Sequence, residues 1–283
     1  MFDIGFMQGR LSPQVDGKIQ AFPREEWRDE FPAAEKLGIG LMEWTLDHDR
    51  LMENPLMTSQ GQAEILSLSA AHGVKVVSLT GDIFMQMPFW RVTGAEREQR
   101  LKEFDAVAQA CAEVGIRFIV VPLVDNGAMQ TPDEEATVIA EFSKRAAWLK
   151  HHGMAVVFEC DYPPRKLADF IAKFSEGVFG VNYDIGNSAA LGYDSAEEIA
   201  AYFPRILNVH IKDRVLGGTT VPLGTGNAKL GATIADLERR GYHGCYILQT
   251  ARAADGDHAG VLTKYRDMAK GWIESARGGM AAQ

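Results

Sequence analysis

Val181-Asn-Tyr-Asp-Ile-Gly-Asn-Ser-Ala-Ala-Leu-Gly192 is the stretch on which the fold is read. An apolar run from Val178 enters an alternating segment, reaches Asp184 and breaks on Gly186 and Asn187, the pattern of a buried strand ending in a polar turn. Asp184 then stands at the strand's carboxyl end. Three more apolar runs finish on a residue able to bind a metal: Phe158-Glu159-Cys160, Asn208-Val209-His210 and Ile247-Leu248-Gln249. In a barrel of parallel strands all carboxyl ends open on one mouth, so Glu159, Asp184, His210 and Gln249 would meet there.

Outward from this stretch, runs of strand composition alternate with segments of helical periodicity. Strands are expected at 2–6, 39–42, 74–80, 118–122, 154–159, 178–184, 206–211 and 245–249, and helices near 25–37, 59–72, 95–114, 132–152, 164–174, 195–203, 230–240 and 259–275. Eight of each is the count of a (β/α)8 TIM barrel, whereas an open doubly wound sheet usually stops at five or six strands. The reading is a single α/β barrel domain over 1–276 with a flexible C-terminal tail at 277–283.

A chain of 283 residues, 46% hydrophobic, matches one large core. A net charge of -9 without a long basic run argues against nucleic acid, whose binding is dominated by Lys and Arg on phosphates. The amino terminus lacks a basic region followed by a long apolar stretch, and no apolar run reaches the roughly 18 residues a membrane span needs. A cytoplasmic protein with a small-molecule ligand is expected. Cys111, Cys160 and Cys245 are too few and too far apart for a disulfide framework or a paired-cysteine metal site.

The segment Gly81-Asp-Ile-Phe-Met-Gln-Met-Pro-Phe-Trp-Arg91 is unusually apolar for a surface loop. It is read as a lid or a subunit contact, which makes a homo-oligomer an expectation, against the alternative that it folds back as extra core.

Strand alternation puts Glu159 on one face with Ala155 and Val157, Asp184 with Gly180 and Asn182, and His210 with Asn208 and Lys212. These side chains are directed into the barrel. A donor set of Glu, Asp, His and Gln suits a divalent ion such as Mn, Mg or Co better than a thiol-preferring one, with Zn also admitted. Each residue alone has a plainer explanation, such as an Asp capping the next helix. Lys212, Arg214, Arg252 and His258 follow strands seven and eight, where barrels often hold phosphate, and Gln8, Arg10, Glu43 and Asp125 stand at the early strand ends. All of these, together with Asn187 after strand six, are candidates for substrate binding. The alternative for the cations is pairing with Asp213, Asp255 and Asp257.

From Met7-Gln-Gly-Arg-Leu-Ser-Pro13 and Met42-Glu-Trp44 to Val221-Pro-Leu-Gly-Thr-Gly-Asn227 and Gly241-Tyr-His-Gly244, the chain resembles the sugar phosphate isomerase and epimerase family of xylose isomerase-like barrels. The resemblance implies a metal held by Glu, Asp, His and Glu at the ends of strands five to eight, positions taken here by Glu159, Asp184, His210 and Gln249. It also implies proton transfer beside a carbonyl, with two carboxylates flanking the substrate. Gln249 departs from that pattern, since a carboxamide can offer an oxygen to a metal but cannot take a proton. Asn187 and Arg165 depart too, standing where such epimerases commonly carry a His and a Glu.

The expectation is a metal-dependent sugar isomerase or epimerase, with Glu159 as ligand and principal base and Gln249 at the second catalytic position. A sugar dehydratase is the enzymatic alternative. A sugar-binding barrel that has lost catalysis is the other.

Overall fold

The apolar runs pair in parallel and close on themselves. The computed structural model describes residues 4–281. In chain order the strands are β1 (Ile4–Met7), β2 (Leu41–Thr45), β3 (Lys75–Thr80), β4 (Phe118–Leu123), β5 (Ala155–Cys160), β6 (Phe179–Asp184), β7 (Ile206–Ile211), the two-residue β8 (Asp213–Arg214) and β9 (Thr220–Val221), and β10 (Cys245–Leu248). The barrel runs β1-β10-β7-β6-β5-β4-β3-β2, and β8 and β9 form a separate antiparallel hairpin. This is the (β/α)8 arrangement read from the sequence. Phe2 of the first expected strand lies outside the described residues.

The outer layer holds α1 (Glu30–Lys36), α2 (Ser59–His72), α3 (Asp82–Gln86), α4 (Gly94–Val114), α5 (Pro132–His151), α6 (Pro164–Ile171), α7 (Ile185–Leu191), α8 (Ser195–Tyr202), α9 (Leu230–Arg239) and α10 (His258–Ala281). Caps start them where the sequence marks them: Thr131 accepts from the Glu134 amide at 3.2 Å ahead of Pro132. A small apolar cluster of Phe118, Val120, Ala155 and Val157 is separate from the large core. None of the described helices is long and apolar enough to cross a membrane.

Several local expectations need correction. The aromatics of the apolar 81–91 segment fold back into the core, so its composition needs neither a lid nor a subunit contact to cover it. Its Phe84, Phe89 and Trp90 are buried, and Phe89 meets Phe142 edge-on at 5.4 Å, joining the ladder that continues to Phe104 and Phe158. The turn expected after Asp184 is the helix α7, which Asp184 itself caps by accepting the Asn187 amide. The second strand begins later than expected, so Glu43 and Trp44 sit inside it, buried, instead of at its end. The segment from 277 is not a loose tail: α10 runs on to Ala281, and Arg277 binds Glu238 at 2.6 Å. Ala282 and Gln283 lie outside the described residues.

Candidate metal and substrate site

At the mouth, β5, β6 and β7 bring three side chains together. In the ladder Asp184 lies opposite His210 and Asn182 opposite Asn208. Ligand atoms of Glu159, Asp184 and His210 all fall within 4.8 Å of one another, and all three residues are buried. His210 Nε2 lies 2.8 Å from Glu43 Oε1 across the barrel, so Nδ1 is the nitrogen that faces Glu159 Oε2 at 3.2 Å and Asp184 Oδ2 at 3.8 Å. Glu159 is steadied by two amides, Asn182 Nδ2 at 2.7 Å and Asn187 Nδ2 at 2.6 Å.

Glu43 is itself fully enclosed. It accepts from Ser78 at 2.7 Å, from Asn208 at 3.0 Å and from the Thr80 hydroxyl. Burial alone would raise its carboxyl, but the His210 charge and these donors hold it below the ordinary range. Burial would likewise lower the His210 imidazolium; Glu43, Asp184 and Glu159 outweigh it and hold the ring well above its usual value.

Asp184 divides its oxygens. Oδ1 accepts the Asn187 amide at 2.8 Å and begins α7, while Oδ2 faces the cluster and takes Lys212 Nζ at 3.2 Å. Burial pushes its pKa up, yet Lys212 and His210 bring it down to about 2. The same ammonium donates to Gln249 Oε1 at 3.1 Å. Gln249 therefore connects to the triad through Lys212. Its Nε2 donates to Gln20 Oε1 at 3.0 Å, and Gln20 Nε2 donates to Asp82 Oδ2 at 2.6 Å. Gly186 is required here, because a Cβ would stand 2.7 Å from Lys212 Cγ and 2.9 Å from its carbonyl carbon.

The other sequence candidates divide into groups. Asn187 and Arg214 adjoin the triad, with Arg214 Nη1 2.8 Å from Asn187 Oδ1. Arg10 and Arg252 lie side by side under the loop after β1: Arg10 donates to the carbonyls of Thr250 and Ile19, and Arg252 to those of Ile19 and Ser12. Burial and the neighbouring Arg252 lower Arg10 to about 9. His258 opens α10, and its buried Nδ1 has no hydrogen-bond partner among the described residues. Gln8 is buried, its Oε1 accepting the Thr45 amide at 3.1 Å and its Nε2 without a partner among the described residues. Asp125 is exposed on a left-handed turn, and Arg165 is exposed on α6. Lys212, Arg214 and Arg252 form no ion pair with Asp213, Asp255 or Asp257 among the described residues; Asp213 spends its carboxylate on the amides of Gly224, Gly226 and Ala228.

Sequence reasoning missed the layer beneath. Asn182, Asn208 and Ser78 orient the carboxylates, and only inward alternation on β6 and β7 hinted at the two asparagines. Gln20 sits in a loop and Asp82 opens the short helix α3, and neither segment carries a periodic signal.

The residues fit a divalent cation. A carboxylate bound to one nitrogen of a histidine whose other nitrogen faces two further carboxylates is how proteins orient a metal-binding imidazole. The Lys212 ammonium works against it at the Gln249 side, where it already neutralises Asp184.

The family model described as "Xylose isomerase-like TIM barrel" matches residues 31–276. The chain is 26% identical over 277 residues to the L-ribulose-5-phosphate 3-epimerase UlaE of Salmonella paratyphi C, covering 94% of this chain and 98% of that protein. Its fold is similar to a solved L-ribulose 3-epimerase, with a TM-score of 0.77 at 15% identity over 100% of this chain and 98% of that one. It is similar also to an IOLI protein solved with a bound zinc atom, at a TM-score of 0.74 and 13% identity over 97% and 99% of the two chains. With closure of the barrel and a match over most of its length, the chain belongs to the xylose isomerase-like TIM barrel family.

Proposed function

We propose that this protein is a metal-dependent sugar epimerase or isomerase that moves a proton on a carbon beside a carbonyl. The observation that carries the reading is the convergence of Glu159, Asp184 and His210 within 4.8 Å, with His210 oriented by Glu43. The epimerase relatives support it. Glu159, Asp184 and His210 would hold the ion, with Gln249 Oε1 joining if Lys212 withdraws. A donor set of oxygens and one imidazole nitrogen suits Mn, Mg or Co, and the relative with zinc keeps that ion in the set. A bound divalent ion supplies Lewis acidity toward the substrate oxygens.

The chain's own residues do the rest. Glu159 takes the proton from carbon, with Asn182 and Asn187 fixing the angle of its carboxylate. The electron pair of the broken bond enters an enediolate, which Arg214 and Lys212 stabilise as the nearest cations. Arg10, Arg252 and His258, at the start of the long α10, provide a place for a phosphate or carboxylate on the substrate. The substrate class is therefore an anionic ketose.

The test is incubation with L-ribulose 5-phosphate, other ketoses and their phosphates in deuterated water. Deuterium on carbon beside the carbonyl supports the reading, binding without exchange points to a sugar-binding barrel, and loss of water points to a dehydratase. Glu159→Gln is expected to lower turnover about 100- to 10,000-fold. Full activity in that variant rejects the role of Glu159.

A further inference from the structure

The carboxamide of Gln249 leaves the proposed reaction one proton-transferring group short. Asp82 is a carboxyl at the same mouth of the barrel that the reaction as described leaves unused. It opens α3 directly after β3, at the same end of the barrel as the triad. Gly81 makes the turn: a Cβ there would come 2.4 Å from Phe84 Cδ2 and 2.8 Å from Val120 O. In the ring of strands β3 lies two places from β5, on the side away from β6 and β7. Glu159 is thus flanked by Asp184 and His210 on one side and by Asp82 on the other.

The Asp82 side chain is buried at 9% exposure. Its Oδ2 accepts from Gln20, the residue that also binds Gln249, and its Oδ1 takes no hydrogen bond among the described residues. The charged groups that act on it include Asp47 and Glu159, which disfavour its ionisation, and Lys212 and Arg10, which favour it. Burial is the largest influence, and together with the two carboxylates it pushes Asp82 up to about 7. A carboxyl of that kind holds a proton near neutrality and can release it.

We propose that Asp82 is the second catalytic residue of the reaction, delivering a proton to the face of the substrate carbon opposite the one that Glu159 deprotonates. The role rests on the function proposed above. In the forward direction the carbon–hydrogen bond breaks, the proton passes to Glu159, and the pair enters the enediolate. The Asp82 oxygen–hydrogen bond then breaks, its electron pair staying on the Asp82 carboxylate, as the enediolate pair takes the proton to form a new carbon–hydrogen bond on the other face. Glu159 ends protonated and Asp82 ionised; exchange with water restores both, and the reverse reaction exchanges their roles. No further reactant is needed.

The experiment follows L-ribulose 5-phosphate in deuterated water by NMR with the wild-type enzyme, Asp82→Asn, Asp82→Glu and Glu159→Gln, each loaded with metal and checked for metal affinity by calorimetry. In Asp82→Asn, exchange of the substrate hydrogen is expected to stay within about tenfold of wild type while formation of the epimer falls about 100-fold or more. Asp82→Glu, which keeps the carboxyl group, is expected to recover part of the inversion, and Glu159→Gln to lose exchange and inversion together. Wild-type inversion in Asp82→Asn overturns the assignment. So does a parallel loss of exchange and inversion in both Asp82 variants with metal affinity intact. A wild-type enzyme that exchanges no carbon-bound hydrogen with any ketose overturns the proposed function, and this role with it.

Discussion

His210 and Glu43 meet at 2.8 Å in the barrel interior, both side chains completely enclosed, although 167 residues separate them in sequence. The contact joins β7 to β2 and decides which imidazole nitrogen faces the other carboxylates. Glu43→Gln keeps an oxygen in place but removes the charge that stabilises a ring carrying its proton on Nε2. Loss of such an outer partner costs about 10- to 100-fold in metal affinity. Isothermal titration with Mn or Zn measures it, and unchanged affinity would show that Glu43 serves packing alone.

Lys212→Met removes the ammonium that lies between Asp184 and Gln249. Like charges about 4 Å apart repel by about 4 kcal/mol at an effective dielectric near 20, so even partial relief should tighten divalent-ion binding tenfold or more. The same titration reads it. Weaker binding in the variant would mean that the lysine organises the site instead of competing for it.

Arg252→Gln should raise KM for a phosphorylated ketose about tenfold or more while leaving kcat within a few-fold, since the guanidinium lies beside Arg10 and away from the triad. The unphosphorylated sugar is the control. Equal effects on both substrates would point to the loop carbonyls of Ser12 and Ile19, which Arg252 also holds.

Glu30 is fully enclosed and accepts the amides of Gly9 and Leu11, yet burial pushes its carboxyl up to about 7. The folded protein therefore holds this proton at pH values where the unfolded chain has released it. Stability from this group is present below the ordinary carboxylate range and is lost as pH rises from about 4.5 to about 7, with a ceiling of about 3 kcal/mol. Urea unfolding of wild type and Glu30→Gln at pH 5 and pH 7.5 tests the sign: the wild type should lose more stability than the variant over that interval.

How far the sequence could be read follows from what each segment reports. The strands and the mouth residues Glu159, Asp184 and His210 were legible because burial on a strand imposes an alternating pattern whose last member points inward. The Glu43 contact was not, because the strand around it begins two residues later than its apolar run suggests. The apolar 81–91 segment misled for a related reason. Composition requires Phe84, Phe89 and Trp90 to be covered, but it does not say by what; Phe104 of α4 and Phe142 of α5 help to cover them. Gln20 is invisible in principle, since its position depends on two arginines that grip the backbone beside it.

The division of Asp184 between its two oxygens separates architecture from occupancy. The oxygen that begins α7 is turned to the Asn187 amide and not to the proposed cation site, so a chelator would empty that site without unwinding the neighbouring turn. Unlike small domains that collapse when stripped of zinc, this barrel would wait in working shape, and exchange of one ion for another would proceed as simple refilling.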